Sequence, residues 1–332
     1  MKKILALIMS LVICSEGMIN HAPTKPNIIK KIAKGILYLT SPDTGKIIYV
    51  DLNNLDSINY IQTMGVPWEL TYSKQNMNVY VSDFGIDEIY TLMTLGNSSF
   101  KSIKLQAMSN PKGIEISSDD ASLYILESMS GKFSVYSLND EKITTETSLP
   151  PNPVNLAHLK KLNLIGITCP NVNQLVLLNT QDLIQSGTIM LENGPEKIIA
   201  YETDNTFFIS SRNGTIVYEI DPVNKMIKKS IELYEMPTSL ALHPKKKLLY
   251  VGSSKSDIIT IVDTESGSII RTIKLPIETQ FPSDLEITKD GKWLIVTSES
   301  TNTISIIDLV KENVAVKLNV KATTHAAVIV EE

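Results

Sequence analysis

The chain has 332 residues, 43% of them hydrophobic, and carries 31 Lys and Arg against 36 Asp and Glu for a formal net charge of −5. That balance supplies no global electrostatic reason to bind nucleic acid. Length and apolar content together suffice for one packed domain.

At the N-terminus, Lys2 and Lys3 precede an apolar stretch from Ile4 to Cys14 that only Ser10 interrupts, and Ser15-Glu-Gly17 comes next with small residues at a cleavage-like spacing. A charged start, a short apolar run and small residues predict a signal peptide over 1–17. The run is far shorter than the roughly 20 apolar residues a spanning helix needs. The expectation is therefore an exported protein (periplasm, cell surface or secreted) with no transmembrane helix in the mature chain. A lipid anchor at Cys14 is the variant form, although Ile13 is bulky where lipoprotein signals carry Gly, Ala or Ser. Residues 18–34 read as a linker, expected to pack poorly on the remainder of the chain. Cleavage after Gly17 leaves Cys169 as the sole cysteine, which excludes an intrachain disulfide. Cys169 ends an apolar run in Ile-Thr-Cys-Pro and reads as a small buried residue, not a nucleophile.

From residue 67 onward a proline recurs, each time opening a similar run: Pro67-Trp-Glu-Leu, Pro111-Lys-Gly-Ile, Pro153-Val-Asn-Leu, Pro195-Glu-Lys-Ile, Pro237-Thr-Ser-Leu and Pro282-Ser-Asp-Leu. The intervals are 44, 42, 42, 42 and 45 residues. A repeat of this length marks stacked supersecondary units, none of which buries its apolar face alone. Thirteen residues after each proline lies the centre of a second β-rich run, at Tyr80, Tyr124, Gly166, Phe208, Tyr250 and Ile295. Thirteen further on, Asn179, Asp221, Asp263 and Asp308 close a third, as Asp51 does thirteen after Tyr38; Met93 and Ser137 break the rule in the second and third units. A fourth run comes after it, as in Ser-Ile-Lys-Leu (102–105), Thr-Ile-Met-Leu (188–191) and Thr-Ile-Lys-Leu (272–275). Four short strands rich in Ile, Val and Tyr, parted by polar turns, predict a four-stranded antiparallel sheet per repeat.

Residues 35–63 supply three strands of a further unit and lack a first one. Thr-His-Ala-Ala-Val-Ile-Val (324–330) copies the apolar rhythm of Pro-Ser-Asp-Leu-Glu-Ile (282–287) at the right interval. A C-terminal strand beside Tyr38 then closes a ring without long exposed edges. Pro26-Asn-Ile-Ile is the rival for that place, with a poorer strand pattern behind it. The fold class predicted is all-β: a seven-bladed β-propeller over 35–332, four antiparallel strands per blade.

Leu-Tyr-Val-Gly-Ser-Ser (249–254), Val-Tyr-Val-Ser-Asp (79–83) and Ile-Ile-Thr-Ile-Val-Asp-Thr (258–264) resemble the YVTN family of β-propeller repeats. The resemblance spans roughly 35–330 and implies a scaffold. It suggests surface-layer and periplasmic relatives, and similar blades in seven-bladed lactonases and some redox enzymes, without naming a reaction.

Direct signs of chemistry are few. His243 lies in the turn between the first two strands of blade 6, His158 in a comparable place in blade 4, and His325 starts the closing strand near the opposite rim. Metal or haem ligation needs convergent histidines, and these do not converge. There is no His-Glu-x-x-His, phosphate loop or Gly-x-Ser-x-Gly. No catalytic residue, metal or cofactor is expected. The aspartates ending the third strands read as turn formers.

The loops at 41–45, 83–87, 127–131, 170–173, 211–214, 253–257 and 299–302 are polar and unlike one another, as binding loops on a constant frame are. Two positions after each start, Glu69, Gly113, Asn155, Lys197, Ser239 and Asp284 are expected to ring the mouth of the central channel. Glu69, Asn155, Lys197, Arg212 and Asp284 are the candidate ligand-binding residues, and their replacement is expected to leave stability nearly untouched. The leading function is an exported, non-catalytic propeller that binds a protein, glycan or cell-envelope component through its loop face. The alternative is a lactonase-like hydrolase using Glu69, Lys197, Arg212 and Asp284 at the channel mouth, with a divalent metal as an aid. Lys245, Lys246 and Lys247 mark the competing surface on the other face.

Overall fold

The computed structural model describes residues 29–94, 100–253 and 255–331. The expected signal peptide over 1–17, Cys14 and residues 18–28 of the expected linker lie outside the described residues. Those described form seven four-stranded antiparallel sheets. Blade 2 is representative, with strands Pro67–Ser73, Asn78–Asp83, Glu88–Met93 and Phe100–Lys104 running from the axis outward. The second strands of blades 2 to 7 all span the same six positions around the central residue expected from the repeat, as in Ser122–Glu127, Leu164–Cys169 and Thr206–Ser211.

Blade 1 is assembled from both ends of the chain. Ala327–Glu331 pairs antiparallel with Gly35–Ser41, setting Tyr38 against Val328. Gly35 is needed at that seam. Its φ is +141° and a Cβ there would sit 2.1 Å from the Val330 carbonyl oxygen. The rival segment lies elsewhere: Ile32 N–H donates to Leu52 O at 3.0 Å, and Lys30 O accepts from Leu55 N–H at 2.9 Å. Residues 29–33 thus run along the turn between the third and fourth strands of blade 1. The expectation of a poorly packed linker fails for this stretch, because Ile32 is 8% exposed and joins the core between blades 7 and 1.

The core is seven layers, one between each pair of neighbouring blades. Blades 4 and 5, for example, share Leu159, Leu175, Leu177, Phe207, Ile209 and Ile220. Second strands face such a layer on both sides, so Leu164–Cys169 is buried along its whole length. Each Leu, Ile, Val or Phe buried there contributes about 1.5–3 kcal/mol. Cys169 is fully buried, and burial pushes its thiol up to about 12. It is inert packing.

A hydroxyl two residues past the strand centre fastens one blade to the next. Thr40, Ser82 and Thr168 donate to the carbonyls of Trp68, Lys112 and Glu196 at 2.7 Å each. These bonds satisfy carbonyls of the innermost strands, whose channel-side edges have no further strand to pair with. At the opposite end of the blades the expected turns form: Asp221, Asp263 and Asp308 each accept backbone N–H groups from within the next three residues.

Candidate functional site at the channel mouth

A cavity of about 530 Å³ opens on the loop face, lined by Trp68, Lys112, Glu196, Arg212, Phe281 and His325 among others. Beneath it a second space of about 280 Å³ runs down the axis past Thr71, Glu115, His158 and Glu286. Glu69, Asn155, Lys197 and Asp284 line both and form the boundary between them.

The same repeated hydroxyls hold these boundary residues. Ser82 Oγ accepts the Glu69 N–H at 3.0 Å, Ser210 Oγ that of Lys197 at 3.1 Å, and Thr297 Oγ1 that of Asp284 at 2.7 Å. Their side chains then meet across the axis. Lys197 Nζ lies 3.1 Å from Asp284 Oδ1 and 3.9 Å from Glu69 Oε2. Asn155 Nδ2 donates to Glu69 Oε2 at 3.3 Å, and Ala327 N–H donates to Asp284 Oδ2 at 3.1 Å. Blades 1, 2, 4, 5 and 7 are joined in one polar crossbar.

Burial opposes the charge on Lys197, but Asp284 and Glu69 outweigh it and hold the ammonium above its ordinary range. Below the crossbar, Glu115 and Glu286 face only the axial space, and burial pushes both carboxyls up to about 8. Asp284 and Glu69 add to the shift at Glu286. The axial carboxyls thus hold their protons more tightly than ordinary glutamates, while the crossbar carries an ion pair.

Four of the five candidate residues therefore come together, and one does not. Arg212 lies at the mouth but spends its guanidinium on Glu196, with Nε 2.9 Å from Oε2 and Nη2 2.5 Å from Oε1. Of the expected ring, Gly113 lines the axial space, whereas Ser239 is fully buried. The expectation that these positions can change without cost to stability is corrected for Lys197, Asp284 and Glu69. The side chain of Asp284 is only 5% exposed and its partners are interlocked.

The outer wall of the mouth escaped sequence reasoning. It is built from the residue directly after each proline, Trp68, Lys112, Val154, Glu196, Thr238 and Ser283, with Phe281, Glu299 and His325. His325 Nδ1 is bonded to Glu299, and its ring lies 3.8 Å from that of Trp68, tilted by 40°. Lys112 Nζ stands 5.6 Å from the Trp68 ring centre and 5.8 Å from that of Phe84. Phe281 holds a left-handed backbone, φ +57°, that a bulky side chain rarely adopts. The repeat contained the signal, since these residues occupy one equivalent position, but only the next position was read as facing the mouth.

His158 and His243 are structural. His158 sits inside the strand Asn155–Leu159, not in the turn after it, and is 2% exposed. Burial, with Lys160 nearby, lowers it to about 4. His243 braces its turn, accepting from the backbone of Lys245 and Lys246 at Nδ1. Among the described residues, no group of three or more His, Cys, Asp or Glu is placed to hold a metal ion, and no helix is long and apolar enough to cross a membrane.

Fold and site together define a seven-bladed β-propeller with a polar, aromatic-walled mouth. The profile of the family described as lactonase, 7-bladed beta-propeller, matches residues 199–331. Virginiamycin B lyase from Staphylococcus aureus is similar in structure, with a TM-score of 0.69 at 16% identity over 80% of this chain and 89% of that one. A streptogramin B lyase gives 0.68 at 17% over 80% and 88%, and Kuenenia stuttgartiensis hydrazine synthase 0.66 at 15% over 73% and 76%. At such identities the likeness is one of fold. No curated protein sequence matches the chain.

Proposed function

We propose that the chain is an exported propeller that binds a protein, glycan or cell-envelope component in its loop-face mouth without transforming it. The N-terminal pattern of Lys2-Lys3 and the apolar run to Cys14 supports export. The carrying observation for binding is the charge pairing at the mouth. Lys197, Arg212 and His325 each already face a carboxylate. What remains is a concave, polar and aromatic wall of a size suited to a small ligand or a chain segment.

The test is direct binding to the purified protein of peptide and glycan fractions from the native envelope, read by calorimetry. Trp68→Ala and Phe281→Ala are expected to abolish the binding heat. Undiminished affinity in both variants would move the site to the sides or to the face bearing Lys245, Lys246 and Lys247.

One observation favours a second reading, a lactonase-like hydrolase. The family match covers Glu299 and His325, and an imidazole oriented at Nδ1 by a carboxylate is a fit general base through Nε2. Acid release from a panel of lactones, lost in both His325→Gln and Glu299→Gln, would establish this reading in place of the first.

A further inference from the structure

Lys112 is the one mouth cation whose ammonium makes no ion pair among the described residues. It is half-buried and rests over two aromatic rings, those of Trp68 and Phe84. The carboxylate that acts on it, Glu196, is committed to both arms of the Arg212 fork. Burial and the Arg212 charge hold the Lys112 ammonium below its ordinary value, so its surroundings undercompensate the charge.

Outward of the cavity wall, an exposed rim of methionines stands on the loops of blades 1 to 3. Met64, Met108 and Met129 are 89%, 61% and 62% exposed. They sit on adjoining loops: Phe84 N–H bonds to Val66 O on the Met64 loop, Asn110 Nδ2 to Phe84 O, Met108 N–H to Asp87, and Met129 N–H to Ser109 O. Flexible thioethers suit an apolar partner of variable shape. Inward of this rim the Lys197 crossbar spans the axis, so a chain entering the mouth meets a floor.

We propose that the mouth captures the C-terminal end of a polypeptide, with Lys112 receiving the terminal carboxylate and the Met64, Met108 and Met129 rim receiving its last apolar side chains. A carboxylate matches the uncompensated cation, apolar residues match the thioethers, and a chain end matches a cavity with a floor. The inference rests on the binding reading above and narrows its partner class.

The experiment uses the purified full-length protein and two pools of random hexapeptides, one with free C-termini and one C-amidated, with retained peptides quantified by mass spectrometry. Free-acid peptides with apolar last residues should be enriched about tenfold over their amides, the worth of one partly screened charge-assisted contact. Lys112→Gln should erase that preference and Lys112→Arg should keep it. Equal retention of both pools overturns the carboxylate assignment while leaving loop-face binding intact. Retention of an acidic oligosaccharide such as polygalacturonate, with neither peptide pool enriched, overturns the peptide assignment in favour of a glycan. Retention of nothing overturns the inference, and the envelope-fraction calorimetry then decides separately whether the loop face binds at all.

Discussion

Lys197 shows how a residue that looks like a ligand contact also holds the ring together. Removing it strands Asp284 and Glu69, whose side chains are 5% and 15% exposed, without their cation. Lys197→Ala is therefore expected to cost on the order of 3 kcal/mol in chemical denaturation. An exposed lysine such as Lys104, 4.0 Å from Glu88 with its side chain 81% exposed, should cost almost nothing. Glu115 supplies a pH signature. Its carboxyl is raised to about 8 in the folded protein, above an unfolded value near 4.3. Between those values the folded state binds the extra proton, so the stability it contributes is complete at low pH and is lost as pH rises toward 8. Glu115→Gln should flatten that decline, gaining on wild type by on the order of 2 kcal/mol at pH 9 and little at pH 5 in pH-resolved denaturation; screening in the open axial space keeps the gain below the full linkage value. Glu115 drew no notice as sequence because it alternates with apolar neighbours as any strand residue does. Its channel exposure is a property of the ring.

At the scale of strands, the sequence was legible to the residue. Strand centres at Tyr80, Phe208 and Ile295 were placed correctly because β-branched and aromatic runs at constant spacing leave one register that buries them. Phe208→Ala should lose about 3–5 kcal/mol, since Phe208 is fully buried between blades 5 and 6 and leaves a cavity. The hydroxyl two positions on carried information that the apolar pattern hid. Thr168→Val keeps the shape but leaves the Glu196 carbonyl without its donor, at a cost of about 1–3 kcal/mol. In the purified protein it should also loosen the strand bearing Lys197, seen as faster amide exchange at residues 195–198. His158 marks the limit of element-level reading. Its repeat position suggested a turn, but the strand continues through it, because a neutral imidazole packed against Tyr124 fits a buried edge.

For the whole molecule, closure is the decisive feature. The C-terminal strand Ala327–Glu331 supplies the innermost strand of blade 1, so the first and last described strands are locked into one sheet. Deleting residues 325–332 should replace a single cooperative thermal transition with a broad, lower one in circular dichroism, because the layers between blades 7 and 1 and between blades 1 and 2 both open. An equally sharp transition at the wild-type temperature would mean that the ring does not depend on its seam. The same truncation removes His325 from the mouth, so binding should fall with stability, unlike the change expected of Lys112→Gln.

The sequence by itself determined the repeat, the four strands of each blade, the blade count and the use of the C-terminus to close the ring. Those arise from short-range periodicity, and a period is visible without coordinates. Only the tertiary structure decided which polar residues face one another. Lys197, Glu69, Asn155 and Asp284 come from four different repeats, and whether they bind a ligand or each other depends on how far across the axis their side chains reach. The Trp68, Lys112 and His325 wall was hidden for the same reason. A strand pattern tells which residues alternate, but the closure of seven twisted sheets sets which of the alternating faces turns toward the mouth.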